Sequence, residues 1–346
     1  MAKKKRDEAE AETHVSNGSS HENRKKKKKN KTRDGDNVTP PTVTVALPGS
    51  IIDNTQSFEL ATRLAGQIAR AATIFRIDEV VIFDNQSESL NDSDVAAKDT
   101  SDENESGAAF LIRILKYLET PQYLRKTLFQ KHNSLRFVGL LPPLDAPHHL
   151  RKHEWAPYRE GCVTLLQQAP TSASTLVDVG LTKNVVIDQA LEPGTRVTVA
   201  MGTNRRLDDQ PRSIVSSSTP REEAGMYWGY KVRYAANISS ALKGCPYKGG
   251  YDYLIGTSEH GDIVKSSELQ LPSFRHLLIA FGGLAGLEEC IEVDKNYKVT
   301  NILTFTMMIR YRSWPLDQKV KGQDLCKHNH AMCLSSITHD LHFMCL

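Results

Sequence analysis

Residues 274–290 read F-R-H-L-L-I-A-F-G-G-L-A-G-L-E-E-C. The run 276–281 is short, continuous and apolar, the pattern of a strand buried on both faces of a parallel sheet. Gly282, Gly283 and Gly286 follow at once. Leu287, Glu288 and Glu289 then open a helix with acidic residues in its first turn, where the helix dipole favours them. The stretch predicts strand, glycine turn, helix. In sheets of this class ligands bind beyond the carboxyl ends of the strands, and glycine lets a ligand approach backbone amides with no Cβ in the way. The spacing is G-G-x-x-G, not the dinucleotide fingerprint G-x-G-x-x-G. Two readings stay open: a ligand turn, or glycines that only close strand onto helix.

Toward the N-terminus the same texture recurs. Residues 42–54, T-V-T-V-A-L-P-G-S-I-I-D-N, give a β-branched strand closed by Pro48 and Gly49. Between 57 and 74, apolar residues at 58, 60, 61, 64, 65, 68, 69, 72 and 74 keep the period of an amphipathic helix carrying Arg63 and Arg70. Residues 79–83, E-V-V-I-F, form the next buried strand. Strand, helix, strand within this span is a βαβ unit and implies a parallel sheet. A helix from Ala108, a short helix after Pro121 and a strand over 135–141 continue the alternation until Pro142 and Pro143 stop it.

From about Asp145 to Arg221 the pieces 163–166, 175–179, 183–186 and 196–201 are short and strand-like, set between Gly, Pro and Asp signals. They predict a small antiparallel barrel or sandwich. It is an insertion, because a helix over 227–242 and a strand over 253–256 bring the α/β pattern back. In the connecting segment H-H-L-R-K-H-E-W (148–155), Arg151 and Lys152 sit beside Trp155, which reads either as an RNA-contacting edge or as a solvated loop.

Charge is uneven along the 346 residues, whose formal net charge is +3. Residues 1–41 carry 12 Lys and Arg against 7 Asp and Glu, with basic runs at 3–6 and 24–29 and almost nothing apolar. Such a segment is expected to be a disordered basic tail: a nuclear or nucleolar address, an RNA tether, or a solubilising tail. Residues 86–107 carry one Lys against 7 acids and read as a disordered acidic loop within the first domain. The remainder is mildly basic, compatible with a nucleic-acid partner. No run of 18 apolar residues is present, so neither a membrane span nor a membrane partner is expected. The lysine-rich start lacks the apolar core of a secretion signal, and six cysteines without a regular framework fit reduced thiols in cytosol or nucleus. No G-x-x-x-x-G-K-[ST] occurs, which disfavours a nucleotide-phosphate enzyme.

Seven blocks carry a resemblance: V-A-L-P-G-S-I-I-D-N (45–54), R-A-A-T-I-F-R-I-D-E-V-V-I-F-D-N (70–85), P-Q-Y-L-R-K (121–126), G-L-L-P-P-L-D-A-P-H-H (139–149), Y-W-G-Y-K-V-R (227–233), G-Y-D-Y-L-I-G-T-S-E-H-G (250–261) and residues 274–288. From about Thr42 to Leu303 the chain resembles the eukaryotic SPOUT-domain RNA methyltransferases, a family with archaeal relatives. The resemblance implies an α/β fold class, a SPOUT parallel-sheet domain with a C-terminal trefoil (α/β) knot and an inserted OB-like barrel. It divides the chain at 42–145, 146–222 and 223–303, with an atypical tail over 304–346. It implies S-adenosylmethionine as methyl donor and RNA, ribosomal RNA foremost, as substrate. The donor loops map onto Gly256, Thr257, Ser258 and Glu259 and onto Phe281, Gly282, Gly283, Leu284 and Gly286. Arg70, in the context R-A-A-x-x-F, resembles the arginine of the first motif of SPOUT ribose methyltransferases and is the catalytic candidate; a surface helix charge is the other reading. Arg63, Arg151, Lys152 and Trp155 are the RNA-binding candidates. The run G-G-x-x-G-x-E-E is similar to the donor loop of SPOUT enzymes that methylate uridine N3 in ribosomal RNA.

One family block does not match. The loop and helix that follow in the family, completing the knot and packing across the dimer axis, have no counterpart after Leu303. The tail instead collects Cys326, His328, His330, Cys333, His339, His342 and Cys345 in a spacing that fits no common zinc pattern, so no metal is expected. The family's homodimer would lose that packing surface. A noncatalytic RNA-binding or assembly protein is therefore the alternative to a methyltransferase.

Overall fold

The computed structural model describes residues 40–84, 105–168, 173–207, 211–263, 271–283, 286–294, 305 and 307–310. With strands numbered in chain order, β1 (Thr42–Pro48) lies at the centre of a parallel sheet between β2 (Glu79–Phe83) and β10 (His276–Ala280). Outside them run β8 (Lys231–Ala235) beside β2, β9 (Tyr253–Ile263) beside β10, and β11 (Met307–Arg310) beside β9. The central strands are buried on both faces, which is why they read as unbroken apolar runs. Val45, Leu47, Val80, Ile82, Leu277 and Ile279 face α2 (Phe58–Ile74) and α3 (Gly107–Glu119). The alternate residues Ala46, Val81, Phe83, Leu278 and Ala280 face α6 (Ile238–Lys243) and α7 (Gly286–Val293). Ser57 and Ser106 cap α2 and α3, each hydroxyl accepting a backbone N–H of the first turn. Short helices α1 (Ser50–Asp53), α4 (Gln122–Leu128) and α5 (Thr219–Ala224) fill connections.

A second, antiparallel sheet holds β3 (Tyr158–Gln168), β4 (Ala173–Asp178), β5 (Val185–Ile187), β6 (Arg196–Ala200) and β7 (Ser213–Val215) in the order β5-β4-β3-β6-β7. Ile187 bridges Arg212 in parallel, so β5 meets the chain entering β7 and the sheet curls round a core of Val163, Val177, Val185, Val199 and Met201.

Buried charge joins the two sheets. Arg196 of β6 donates to both Glu119 carboxylate oxygens, at 2.6 and 3.0 Å, and to Glu160 of β3 at 2.7 Å. Thr198 and the Trp228 indole donate to the other Glu160 oxygen, each at 2.6 Å. Desolvation alone would raise the Glu119 carboxyl, but the Arg196 charge and the hydrogen bonds from His148 and Arg196 hold it at about 2.

Several expectations differ from the structure. Residues 135–141 form no strand; two 3-10 turns, Asn133–Leu135 and Val138–Leu140, stand there with Leu140 exposed, because no neighbouring strand offers a ladder. Residues 227–242 are not one helix: Gly229 takes φ +87°, and the chain then enters β8, with Tyr230 just before it and Tyr234 within it buried on the same face. The strand at 253–256 continues to Ile263, and residues expected in the tail supply β11, with Phe305 in the core. Glu105, Ser106 and Gly107, placed in the acidic loop, are ordered: Glu105 pairs with Arg113 at 3.0 Å and Gly107 begins α3. The basic tail, residues 86–104 and the cysteines and histidines from Cys326 onward lie outside the described residues. Among the described residues no helix is long and apolar enough to cross a membrane.

Arg196→Met should leave two carboxylates buried without their cation, costing about 3–5 kcal/mol of unfolding free energy by urea titration. In the wild type, the Glu119 carboxyl binds its proton more weakly folded than unfolded, so its contribution is complete above its ordinary value of 4.5 and is lost as pH falls toward about 2. The Arg196→Met chain should lack that acid limb.

Candidate active site

A parallel sheet brings the carboxyl ends of its strands to one edge. Three hydrogen bonds tie those ends together: Gly49 N–H to Phe83 O at 2.8 Å, Phe281 N–H to Ala46 O at 2.9 Å, and Asp84 N–H to Ala235 O at 3.1 Å. On this edge the glycine turn folds back on itself, with a bridge between Gly283 and Gly286 and Gly286 N–H donating to Gly283 O at 3.2 Å. The three glycines have different reasons. A Cβ on Gly282 would lie 2.1 Å from Leu287 N, and Gly286 has φ +91°, so the backbone path itself excludes side chains there. Among the described residues Gly283 is under no such constraint: a Cβ there would meet Ser50 Oγ at 3.4 Å and Pro48 Cγ at 3.9 Å.

The second expected loop meets the first. Residues 256–259, expected as a loop, lie within the unbroken strand β9; after Gly256, the last residue of β9 in register with β10, pairing with β11 jumps from Met308↔Gly256 to Ile309↔Asp262, so Thr257, Ser258 and Glu259 bulge out of that ladder. Ser258 is buried and its hydroxyl donates to Glu288 in the first turn of α7. Phe281 sends its side chain into the core, leaving its backbone at the edge. Leu284 lies outside the described residues.

Two carboxylates share this edge. Asp53 ends α1, and Gly107 at the start of α3 packs so closely that a Cβ there would lie 2.4 Å from the Asp53 carboxylate. Burial raises the Asp53 carboxyl, opposed by the Gly107 amide. Asp84, directly after β2, is pushed up to about 6, first by burial and then by the Asp53 charge, with Tyr234 opposing. Tyr234 is 6 % exposed, and among the described residues its hydroxyl makes no hydrogen bond of sound geometry although it faces Asp84. Burial and Asp84 hold that hydroxyl up at about 12.

The basic candidates lie elsewhere. Helix α2 leaves the carboxyl edge and runs back toward the amino edge, and Arg70 is twelve residues past Phe58, about 18 Å along the axis. Exposed, Arg70 donates to Pro143 O at 3.5 Å; the fold of one chain does not carry it to the glycine turn. Arg63, seven residues earlier on the same exposed stripe, pairs with Glu59 at 2.7 Å. Arg151 and Lys152 are exposed, whereas Trp155 packs on the antiparallel core and donates to Gly202 O at 2.9 Å. Their loop is shaped by a residue the sequence reading passed over. Arg159, 1 % exposed, donates to the carbonyls of Glu154 at 2.9 Å, Arg151 at 3.0 Å and Val179 at 2.5 Å. Asp84 was equally unremarked, although its position just past a buried strand is where ligand-binding residues of parallel sheets fall. A cleft of about 1030 Å³ opens at the opposite, amino edge, between the sheets, among residues such as Asp78, Arg221, Trp228, Lys231 and Arg275. Among the described residues no group of three or more His, Cys, Asp or Glu is arranged to hold a metal.

Residues 42–315 match the protein family described as "Putative RNA methyltransferase". The chain is similar to the 28S rRNA (uridine-N(3))-methyltransferase of Mus musculus, 47% identical over 266 residues covering 76% of this chain and 68% of that protein. It is 48% identical over 268 residues to the Homo sapiens protein of the same name, covering 76% and 70%. The Drosophila melanogaster protein of that name is 42% identical over 272 residues, covering 76% and 56%.

The two adjacent glycines differ in what packing demands of them. Gly282→Ala should cost about 2 kcal/mol or more, because backbone must move to admit the methyl group. Gly283→Ala should change stability by less than about 1 kcal/mol. Thermal and urea unfolding of the pair check this, and equal costs would show that Gly283 too serves only the turn.

Proposed function

Because this chain belongs to that family of RNA methyltransferases, we propose that it methylates N3 of a uridine in ribosomal RNA, with S-adenosylmethionine as donor. The names of the mouse, human and fly relatives support the uridine and the atom. The observation that carries the donor site is Gly283, a position on the carboxyl edge for which packing among the described residues gives no reason. On this reading Gly256, Thr257, Ser258 and Glu259 border one side of the donor. Phe281, Gly282, Gly283, Leu284 and Gly286 border the other, mostly through backbone. Main-chain amides and carbonyls suffice to hold an adenosine, and the Ser258–Glu288 hydrogen bond fixes the two segments relative to each other. Bound S-adenosylmethionine supplies a methyl carbon already activated by its sulfonium. What the protein must add is alignment with the accepting nitrogen.

Arg63 and Arg70 on α2, with Arg151 and Lys152 on the loop held by Arg159, are the groups assigned to RNA phosphates. For Arg70 this suits its exposed place better than contact with the donor. We assign the parallel sheet, with its flanking segments 42–145 and 223–303, to a SPOUT-type knot on the resemblance. Segment 146–222 is assigned to an OB-like barrel, supported by the β5-β4-β3-β6-β7 order and the parallel approach of β5 to β7. The basic runs at 3–6 and 24–29 support a nuclear, including nucleolar, location.

Calorimetric titration with S-adenosylhomocysteine should show saturable binding to the full chain and at least tenfold weaker binding to Gly283→Ala. Ribosomal RNA from cells lacking the protein, incubated with it and S-adenosylmethionine, should gain N3-methyluridine by nucleoside mass spectrometry. A folded chain that neither binds nor methylates contradicts the reading.

A further inference from the structure

The carboxyl edge holds one arrangement that donor binding does not use. The ends of β10, β1, β2 and β8 stand side by side, since β10 pairs with β1, β1 with β2, and β2 with β8. The glycine turn follows β10, Ser50 and Asp53 follow β1, Asp84 follows β2, and Tyr234 is near the end of β8. Gly283 adjoins Ser50, and Gly49 is bonded to Phe83, the residue before Asp84. Asp84 is thus two strand spacings from the turn, about 10 Å.

Methylating uridine at N3 poses a requirement that methylating a base nitrogen with a free lone pair does not. N3 carries a hydrogen, and that proton must leave for the nitrogen to bond to carbon. Of the groups on this edge, Asp84 is suited to take it. It is half-buried, hence reachable, and no cation pairs with it among the described residues. The Tyr234 hydroxyl faces it without a hydrogen bond of sound geometry among the described residues, an independent sign of a polar position kept ready for a proton or ligand. Asp53 stands beside it with a path to solvent.

Resting on the uridine-N3 reading above, we propose that Asp84 is the general base of the reaction and that Asp53 and Tyr234 are positioning residues that set its proton affinity. The uridine N3–H proton passes to the Asp84 carboxylate. The electron pair left on N3 forms the new nitrogen–carbon bond as the carbon–sulfur pair departs with sulfur, which becomes a neutral thioether. The proton on Asp84 then leaves to solvent past Asp53. Among the described residues the titratable groups facing Asp84 are Asp53 from α1 and Tyr234 from β8, while α3 offers the backbone amide of Gly107 to Asp53. The raised Asp84 carboxyl is consistent with a base that is ionised near neutrality yet retains proton affinity. Removing the Asp53 charge should lower the Asp84 proton affinity, and removing the Tyr234 hydroxyl should raise it.

The test uses the full chain, S-adenosylmethionine and an rRNA fragment containing the target uridine, with single-turnover rates measured from pH 5 to 9 and S-adenosylhomocysteine affinity measured alongside by calorimetry. Asp84→Asn should slow methylation on the order of 100-fold or more while donor affinity and melting temperature stay at wild-type values. The acid limb of the rate profile should move to lower pH in Asp53→Asn and to higher pH in Tyr234→Phe. These opposed shifts decide the matter even if Asp84→Asn folds poorly, because a purely structural acid pair would leave both limbs in place. Wild-type rate in a folded Asp84→Asn chain, or limbs that do not move, overturns the assignment to Asp84 while leaving the methyltransferase reading intact. Absence of N3-methyluridine with the wild-type chain overturns both.

Discussion

Strand β1 hydrogen-bonds on one side to β2, which follows it in sequence, and on the other to β10, with Thr42 set against His276. The parallel sense of both ladders is the constraint from which the rest follows. It obliges every connection to cross a face of the sheet, which places α2 and α3 on one side and α6 and α7 on the other. It also gathers all strand ends at one edge, where side chains and loops from residues 49, 84, 258 and 283 become neighbours despite their distance in sequence.

The antiparallel sheet is attached through charge. Arg196 lies between Glu119, at the end of a helix on the first sheet, and Glu160, on the second. Such a buried triad contributes little net stability compared with apolar packing, but it is costly to break and it accepts one geometry. The relation between the sheets is thereby fixed at the amino edge, away from the glycine turn, and the large cleft between them opens beside this network. Arg159 has a parallel role within the second sheet, holding a run of carbonyls so that Arg151 and Lys152 project outward.

How much could be read from sequence depended on whether the signal was periodic and local. The β1, α2 and β2 unit was legible because β-branched runs and a clean helical stripe follow one another, and Ser57 falls where a cap is expected. Residues 227–242 misled because Tyr227, Tyr230 and Tyr234 have helical spacing, while Gly229 and the need of β2 for a partner impose a strand. Residues 135–141 carry strand-forming side chains with no ladder to join. The edge strand β11 was hidden in a stretch that looked like an unfamiliar tail, and its partner β9 is what gives it structure. The site divides in the same way. The glycine turn announced itself, but which of its glycines answers to packing needed coordinates. Asp53, Asp84 and Tyr234 are brought together by strand order alone, and nothing periodic marks such a set.

The most direct measurement of the central claim is hydrogen–deuterium exchange of the full chain with and without S-adenosylhomocysteine, followed by peptide. The account predicts protection confined to the carboxyl edge, in peptides spanning residues 47–54, 254–263 and 281–294. Protection of the amino-edge cleft instead, in peptides spanning 214–232, or no protection from a folded chain, would contradict it.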